Sequence, residues 1–290
     1  MKAKKIDPMK SFLKKYPFLK ESERIYRSVD EAIGTPETIQ LPERAVTKTL
    51  TEKLPILQQE TYRSRMVRAV CMMQEDVFAR IAEAEVPPLM QESAREYLAV
   101  LKKLRKAAKE EFIVAVLRQD KAAFAALCEQ HALNEGFIRS TIWRIIAHLT
   151  PSALKEPETW APDVDRPEFR ENFCPVCGRR PVLADLRKHR EGRIRHLVCG
   201  GCGTRWIYAR VGCVYCGNTN LEKMHTLEPE HDNALRLDIC DVCDSYIKTY
   251  RGPVDGSPED AIYRQDWASV HLDLLAEEKG LHKKGNPILE

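Results

Sequence analysis

Ten cysteines stand in this sequence, and eight of them fall into four Cys-x-x-Cys pairs: Cys174/Cys177, Cys199/Cys202, Cys213/Cys216 and Cys240/Cys243. A Cys-x-x-Cys on a tight turn brings two thiolates to adjacent corners of a tetrahedron, at metal–sulfur distances of about 2.3 Å. With no secretory leader expected, such pairs read as metal ligands rather than as a disulfide framework. The intervals repeat. Cys177 and Cys199 are separated by 21 residues, Cys202 and Cys213 by ten, and Cys216 and Cys240 by 23. Knuckle, hairpin, knuckle therefore occurs twice, which predicts one site from Cys174, Cys177, Cys199 and Cys202 and a second from Cys213, Cys216, Cys240 and Cys243. A competing arrangement joins the second and third pairs. The strand-forming run Arg205–Ala209 spans about 17 Å, and it separates two sites more naturally than it closes one.

Gly178, Gly203 and Gly217 each follow the second cysteine of a pair. There the chain must turn sharply, a side chain would crowd the sulfur, and neighbouring amides can offset thiolate charge. Asp244 takes that place in the fourth knuckle, so its surroundings should be less regular. Soft thiolate cages accept zinc or iron. A closed shell of four sulfurs has no open position for Lewis-acid hydrolysis, whereas iron would add one-electron chemistry. Phe173, Trp206, Tyr208, Tyr215 and Tyr246 are best read as the core of small ribbons. His189 and His196 lie on the first hairpin, where four cysteines already fill the shell. Cys71 and Cys128 read as small buried hydrophobes. No residue is assigned a catalytic role, and no Ser-His-Asp set, phosphate-cradling loop or paired-carboxylate site stands out.

The elements that must position these residues divide the chain. Residues 1–150 carry helical periodicity. From Gln59, Tyr62, Met66, Ala69, Val70, Met73, Val77 and Ile81 form one apolar stripe. Pro87-Pro88 starts a second helix with Tyr97, Leu98, Leu101 and Leu104 inward. Phe112–Leu117 and Phe124–Leu127 are helices broken near Asp120, and Asn134 caps a last long one. Thr150-Pro151-Ser152 reads as a cap followed by Pro at the first helical position. Residues 151–170 form a Pro-rich linker that Trp160 pins. A first metal lobe (171–210) then has strands Pro181–Lys188 and Arg193–Val198 around Arg190-Glu191-Gly192. A second lobe (211–255) has strands Leu221–Leu227 and Ala234–Ile239 around Pro229–Asn233. The tail (256–290) returns to helix over Asp266–Glu278, with Val270, Leu274 and Leu275 inward and Gly280 as its stop. The fold class expected is a mainly α N-terminal bundle plus a small β-rich region of two tandem rubredoxin-like or zinc-ribbon lobes. Residues 171–255 hold few aliphatics, and a structural thiolate site supplies an apparent ~10–16 kcal/mol of folding free energy. Loss of one ligand should therefore unfold its lobe.

Over 290 residues the chain is 43% hydrophobic and 31% charged, with a formal charge of +3. This is globular composition and not a polyanion-binding cation. The most apolar stretch, Phe112–Leu117, falls far short of the roughly 20 residues that cross a bilayer. No membrane insertion and a cytoplasmic location are expected. Charge is polarised: Arg179–Arg210 holds nine Lys/Arg against two acids, and Val211–Glu290 eight against fifteen. The bland account is two solvated faces; the functional one is a partner-docking surface. The basic hairpin Arg187–Arg195 raises a nucleic-acid-binding zinc ribbon as an alternative, which the acidic second lobe disfavours. A stand-alone electron carrier is a further alternative.

The segments Cys174-Pro-Val-Cys-Gly178, Cys199-Gly-Gly-Cys-Gly-Thr-Arg-Trp206, Arg210-Val-Gly-Cys-Val-Tyr-Cys-Gly217 and Cys240-Asp-Val-Cys-Asp-Ser-Tyr-Ile-Lys248 occur in that order. With the acidic-leucine segment Asp266–Leu274, they resemble the formate dehydrogenase accessory (formation protein E) family over about 110 residues. Gln265-Asp266-Trp267 departs from the pair of aspartates usual before a leucine in that pattern. The resemblance implies two iron-type sites, iron being preferred over zinc, and a helical N-terminal domain. It further implies a cytoplasmic accessory protein that is not itself an enzyme. Such a protein binds the catalytic subunit of a respiratory formate dehydrogenase and assists its activation.

Overall fold

The structure, a computed structural model, describes residues 13–14, 16–40, 43–190, 192–229, 235–251 and 266–286. Its first half is helical, with α1 (Lys20–Ile33), α2 (Glu43–Glu52), α3 (Glu60–Glu83), α4 (Pro88–Lys103), α5 (Lys106–Arg118), α6 (Lys121–Gln130) and α7 (Glu135–Leu149). The stripe read from Tyr62 to Ile81 makes α3 the central helix, packed against α1, α4, α5 and α7. Pro88 occupies the first turn of α4, where its missing N–H costs nothing. Asp120 caps α6 by accepting the Ala123 amide at 2.9 Å, and Asn134 caps α7 by accepting that of Phe137 at 3.0 Å. Arg144 on α7 grips Asp30 on α1 with two 2.6 Å bonds, and His148 approaches the same carboxylate. Thr150-Pro151 differs from expectation. Thr150 ends α7 and donates its hydroxyl to the Ile146 carbonyl, while Pro151 precedes a single 3-10 turn, Ser152–Leu154. After a second short turn, Trp160 is fully buried and donates to the Leu154 carbonyl at 2.9 Å.

The second half is one sheet. Its strands are β1 (Pro181–His189), β2 (Gly192–Cys199), β3 (Arg205–Tyr208), β4 (Met224–Leu227), β5 (Leu235–Cys240), β6 (Ser245–Tyr250) and the short β7 (His282–Lys283). The order is β3-β2-β1-β6-β5-β4, with β7 beside the start of β6. Pairing is antiparallel within β1–β3 and within β4–β6. The two units join through parallel β1–β6 contacts, Leu183 opposite Lys248 and Asp185 opposite Tyr250. The first strand of one repeat thus lies parallel to the third strand of the next, so the repeats succeed each other in the same orientation. All four knuckles consequently line one end of the sheet. Leu221–Lys223, expected in a strand, forms a 3-10 turn before β4. The turn at 230–233, Glu191 and Gln265 lie outside the described residues.

The tail helix α8 (Val270–Glu278) ends at Gly280 with φ +73°. Its inward face is not the expected one. Val270, Leu274 and Leu275 are 51%, 58% and 44% exposed, whereas Leu272 and Ala276 are buried. The rotation is set by Asp273, which points at the buried Lys248 and at Lys283.

Candidate metal centres

The first knuckle of each repeat folds by the same local bonds. The Cys174 amide donates to the Arg179 carbonyl and the Cys213 amide to that of Asn218, both at 2.8 Å. The amides of Gly178 and Gly217 close back onto the carbonyls of Cys174 and Cys213. Gly178, Gly203 and Gly217 adopt φ +81°, +81° and +74°, a left-handed backbone that favours glycine. Backbone conformation, not crowding at sulfur, is the requirement: a Cβ on Gly217 would meet nothing within 4 Å. Asp244 accepts the same region at φ +48°.

These turns gather the eight sulfurs into two sequential groups, Cys174/Cys177/Cys199/Cys202 and Cys213/Cys216/Cys240/Cys243, each with all four Sγ atoms within 4.8 Å of one another. In the first group Cys174–Cys202 and Cys177–Cys199 are 3.5 and 3.4 Å apart. In the second, Cys213–Cys243 and Cys216–Cys240 are 3.6 and 3.8 Å apart. A tetrahedron with ~2.3 Å metal–sulfur bonds has edges of about 3.8 Å, so both groups have room for one ion at their centre. All the cysteines are free thiols. The donor set therefore fits a soft tetrahedral ion, and zinc and iron both satisfy it.

Charge makes the same case. Burial, reinforced by neighbouring sulfurs, pushes Cys174 and Cys177 well above the ordinary thiol range. Burial would also raise Cys199, but bonds from Cys174, Cys177 and Cys202 bring it well below. Four thiolates gathered in so buried a place need a cation to offset their charge. Amides from inside the knuckles support them. Cys177 N–H points at Cys174 Sγ, Gly201 N–H at Cys199 Sγ, and the Tyr215 and Cys216 amides at Cys213 Sγ, at 3.3–3.5 Å. Two of these donors, the Cys177 and Cys216 amides, directly precede Gly178 and Gly217. Equivalent hydroxyls sit two residues beyond each last cysteine, Thr204 at 3.1 Å from Cys202 Sγ and Ser245 at 2.9 Å from Cys243 Sγ.

The surroundings differ. The first group is sealed into the helical core: all four of its cysteines are fully buried among residues of α3, α5 and α7. The Ile56 and Leu57 amides donate to the carbonyls of Pro175 and Val176, and Gln119 donates to that of Cys177. In the second group Cys216 is exposed and Cys243 half-buried. Neither His189 nor His196 joins a group. His189 faces Asp165, and His196 is buried beside Arg205 and Arg187, with burial the larger cause pushing it down to about 3. Burial raises Cys71 to about 11 and Cys128 to about 12, fitting inert thiols.

The basic hairpin keeps Arg187, Lys188, Arg190 and Arg193 exposed and buries Arg195. Arg195 is 2% exposed and donates to the Gly212 carbonyl, Arg187 and Arg205 bind buried Asp185, and Arg193 donates to the Leu186 and Arg251 carbonyls. Sequence reasoning passed over one cluster. Lys248, fully buried on β6, binds Asp266 at 2.7 Å and Asp273 at 2.6 Å, and Lys283 binds Asp266 at 2.7 Å. Tyr246 donates to Asp273 at 2.7 Å. Asp266, Asp273 and Lys283 wall a cavity of about 570 Å³ against Tyr26, Trp143 and Trp267. The signal was present in the Tyr-Ile-Lys and Leu-Asp-Leu segments, but nothing local says that they meet. Among the described residues, no helix is long and apolar enough to cross a membrane.

Residues 173–210 match the family described as FdhE, central domain, and residues 211–289 match FdhE, C-terminal domain. The "Protein FdhE homolog" of Aquifex aeolicus (strain VF5) is 34% identical over 114 residues, 39% of this chain and 40% of that protein. "Protein FdhE" of Escherichia coli (strain K12) is 29% identical over 209 residues, 71% of this chain and 62% of that protein. The chain thus spans less than two thirds of the length of these curated relatives. The crystal structure of the FdhE protein from Pseudomonas aeruginosa is similar at a TM-score of 0.61 and 18% identity, covering 97% of this chain and 93% of that one. The likeness of fold therefore includes the helical half. The family resemblance read from the knuckle segments is borne out.

Proposed function

Since residues 173–289 match the FdhE central and C-terminal domains, we propose that this chain is an accessory protein for formate dehydrogenase. It acts in the cytoplasm, binds the catalytic subunit and assists its activation, and it does not turn over formate itself. The observation that carries this reading is the pair of preformed four-cysteine groups in the segments that match the family. The eight cysteines hold two ions, iron by preference and zinc as the alternative; iron would supply one-electron chemistry. The protein's own part is to keep each ion's ligands oriented through the knuckle amides and hydroxyls, and to keep water from the first group by burial. The excess of acids over Lys/Arg in residues 211–290 argues against a groove-binding ribbon. Pull-down of the catalytic subunit with the native chain and with Cys213→Ser tests the proposal. Binding by the native chain and loss in the variant support it. Full formate dehydrogenase activation in cells lacking the chain refutes it.

A further inference from the structure

The two groups share the turn of their first knuckles yet meet solvent differently, and the helical half bonds the first knuckle directly. Gly201, between Cys199 and Cys202, lies so close under Trp143 and Arg179 that a Cβ there would sit 2.8 Å from each. Its counterpart between Cys240 and Cys243 is Val242, which is 56% exposed. Pro175 and Val176 in the first knuckle are bonded by the backbone of residues 56–57, whereas beyond Cys216 the position of Gly217 opens onto free space. Val211 and Leu221 are exposed as well, and the Asp241 amide bonds the Lys223 carbonyl, which holds the 221–223 turn against the fourth knuckle.

We propose that the second group is a ligand-exchange site, at which an external thiol replaces Cys216 on the bound ion, while the first group is closed to any incoming ligand. The inference rests on the reading of both groups as metal centres. In the exchange, the bond from the ion to Cys216 Sγ breaks and that sulfur takes up a proton. The incoming thiol gives up its proton, and its sulfur bonds the ion. Four sulfurs and the charge of the site are conserved, so neither oxidant nor reductant is involved. Cys216 is the leaving ligand because it is the exposed one; Cys213 and Cys240 are buried and keep the ion on the protein.

The full chain loaded with ¹¹³Cd²⁺ and titrated with 2-mercaptoethanol tests this without any activity assay. Two cadmium resonances are expected, one shifting or broadening with added thiol and the other unmoved. In Cys216→Ala the cadmium content falls from two ions to one, and 2-mercaptoethanol restores the second; in Cys177→Ala added thiol restores nothing. Equal response of both resonances, response of neither, or failure of the thiol to restore the second ion would overturn the proposal. A chain that takes up no cadmium would instead overturn the reading of the groups as metal centres.

Discussion

Replacing Lys248 by methionine tests how the tail is held to the sheet. The Lys248 ammonium is fully buried and donates to the Asp266 carbonyl at 2.7 Å and to Asp273 Oδ2 at 2.6 Å, besides its ion pair with Asp266. Around it, Asp266, Asp273 and Lys283 are 15%, 20% and 12% exposed. With Lys248 the box is neutral; without it two carboxylates share one ammonium. Breaking such a buried pair costs about 3–5 kcal/mol. Few apolar contacts can absorb the loss, since α8 buries only Leu272 and Ala276. Burial would raise the Asp266 pKa, but Lys248 and Lys283 hold it below its ordinary value. Its contribution is therefore present above the unfolded carboxylate range and lost as pH falls through the folded value. In Lys248→Met the penalty should be full at pH 7 and fade towards pH 4, as a carboxylate takes up a proton. Hydrogen exchange of the α8 amides reads this locally. Protection at pH 7 should drop by two or more powers of ten at about 1.4 kcal/mol each, and Lys248→Met with Asp266→Asn should recover most of it. A loss below tenfold, or an equal loss at both pH values, would refute the charge box as the anchor.

His196 offers a second pH test. Its folded value of about 3 lies below the ordinary one, so its stabilisation is complete above about pH 6.5 and drains away between there and pH 3. His196→Gln should flatten the acid dependence of unfolding by roughly 3–5 kcal/mol over that window, at 1.36 kcal/mol per unit; parallel curves would contradict it. Gly285→Ala should loosen β7, which it follows by two residues. A Cβ there falls 2.2 Å from the Pro181 carbonyl oxygen, in a backbone at φ +81°. Exchange protection at 282–284 should collapse, whereas Gly217→Ala, with open space around it, costs only the conformational ~1–2 kcal/mol. Similar behaviour of the two variants would show that the close approach carries no weight.

The parts of this fold that the sequence disclosed are those with local causes. The stripe from Tyr62 to Ile81, the side-chain caps at Asp120 and Asn134, and the knuckle turns each depend on residues within a turn or two of one another. The grouping of sulfurs also follows from hairpins whose strands are neighbours in the chain. What stayed hidden depends on distant partners. No local pattern announces the parallel pairing of Leu183 with Lys248 that merges two ribbons into one sheet. None announces that the Ile56 and Leu57 amides bond the first knuckle, placing that group inside the helical core. The face of α8 was misread because a short helix with Val270, Leu272, Leu274 and Leu275 offers two plausible apolar sides. Asp273, drawn to Lys248, decides between them, and a charge that seeks a buried partner reads in sequence like any solvated acid.

Metal stoichiometry of the full chain, purified without oxygen and measured by elemental analysis beside native mass spectrometry, tests the central claim most directly. Two ions per chain are predicted, with eight cysteines carried as thiolates and one ion remaining in Cys213→Ser. A chain of native fold that carries no ion when metal is supplied, or one whose paired cysteines are oxidised to each other, would contradict it.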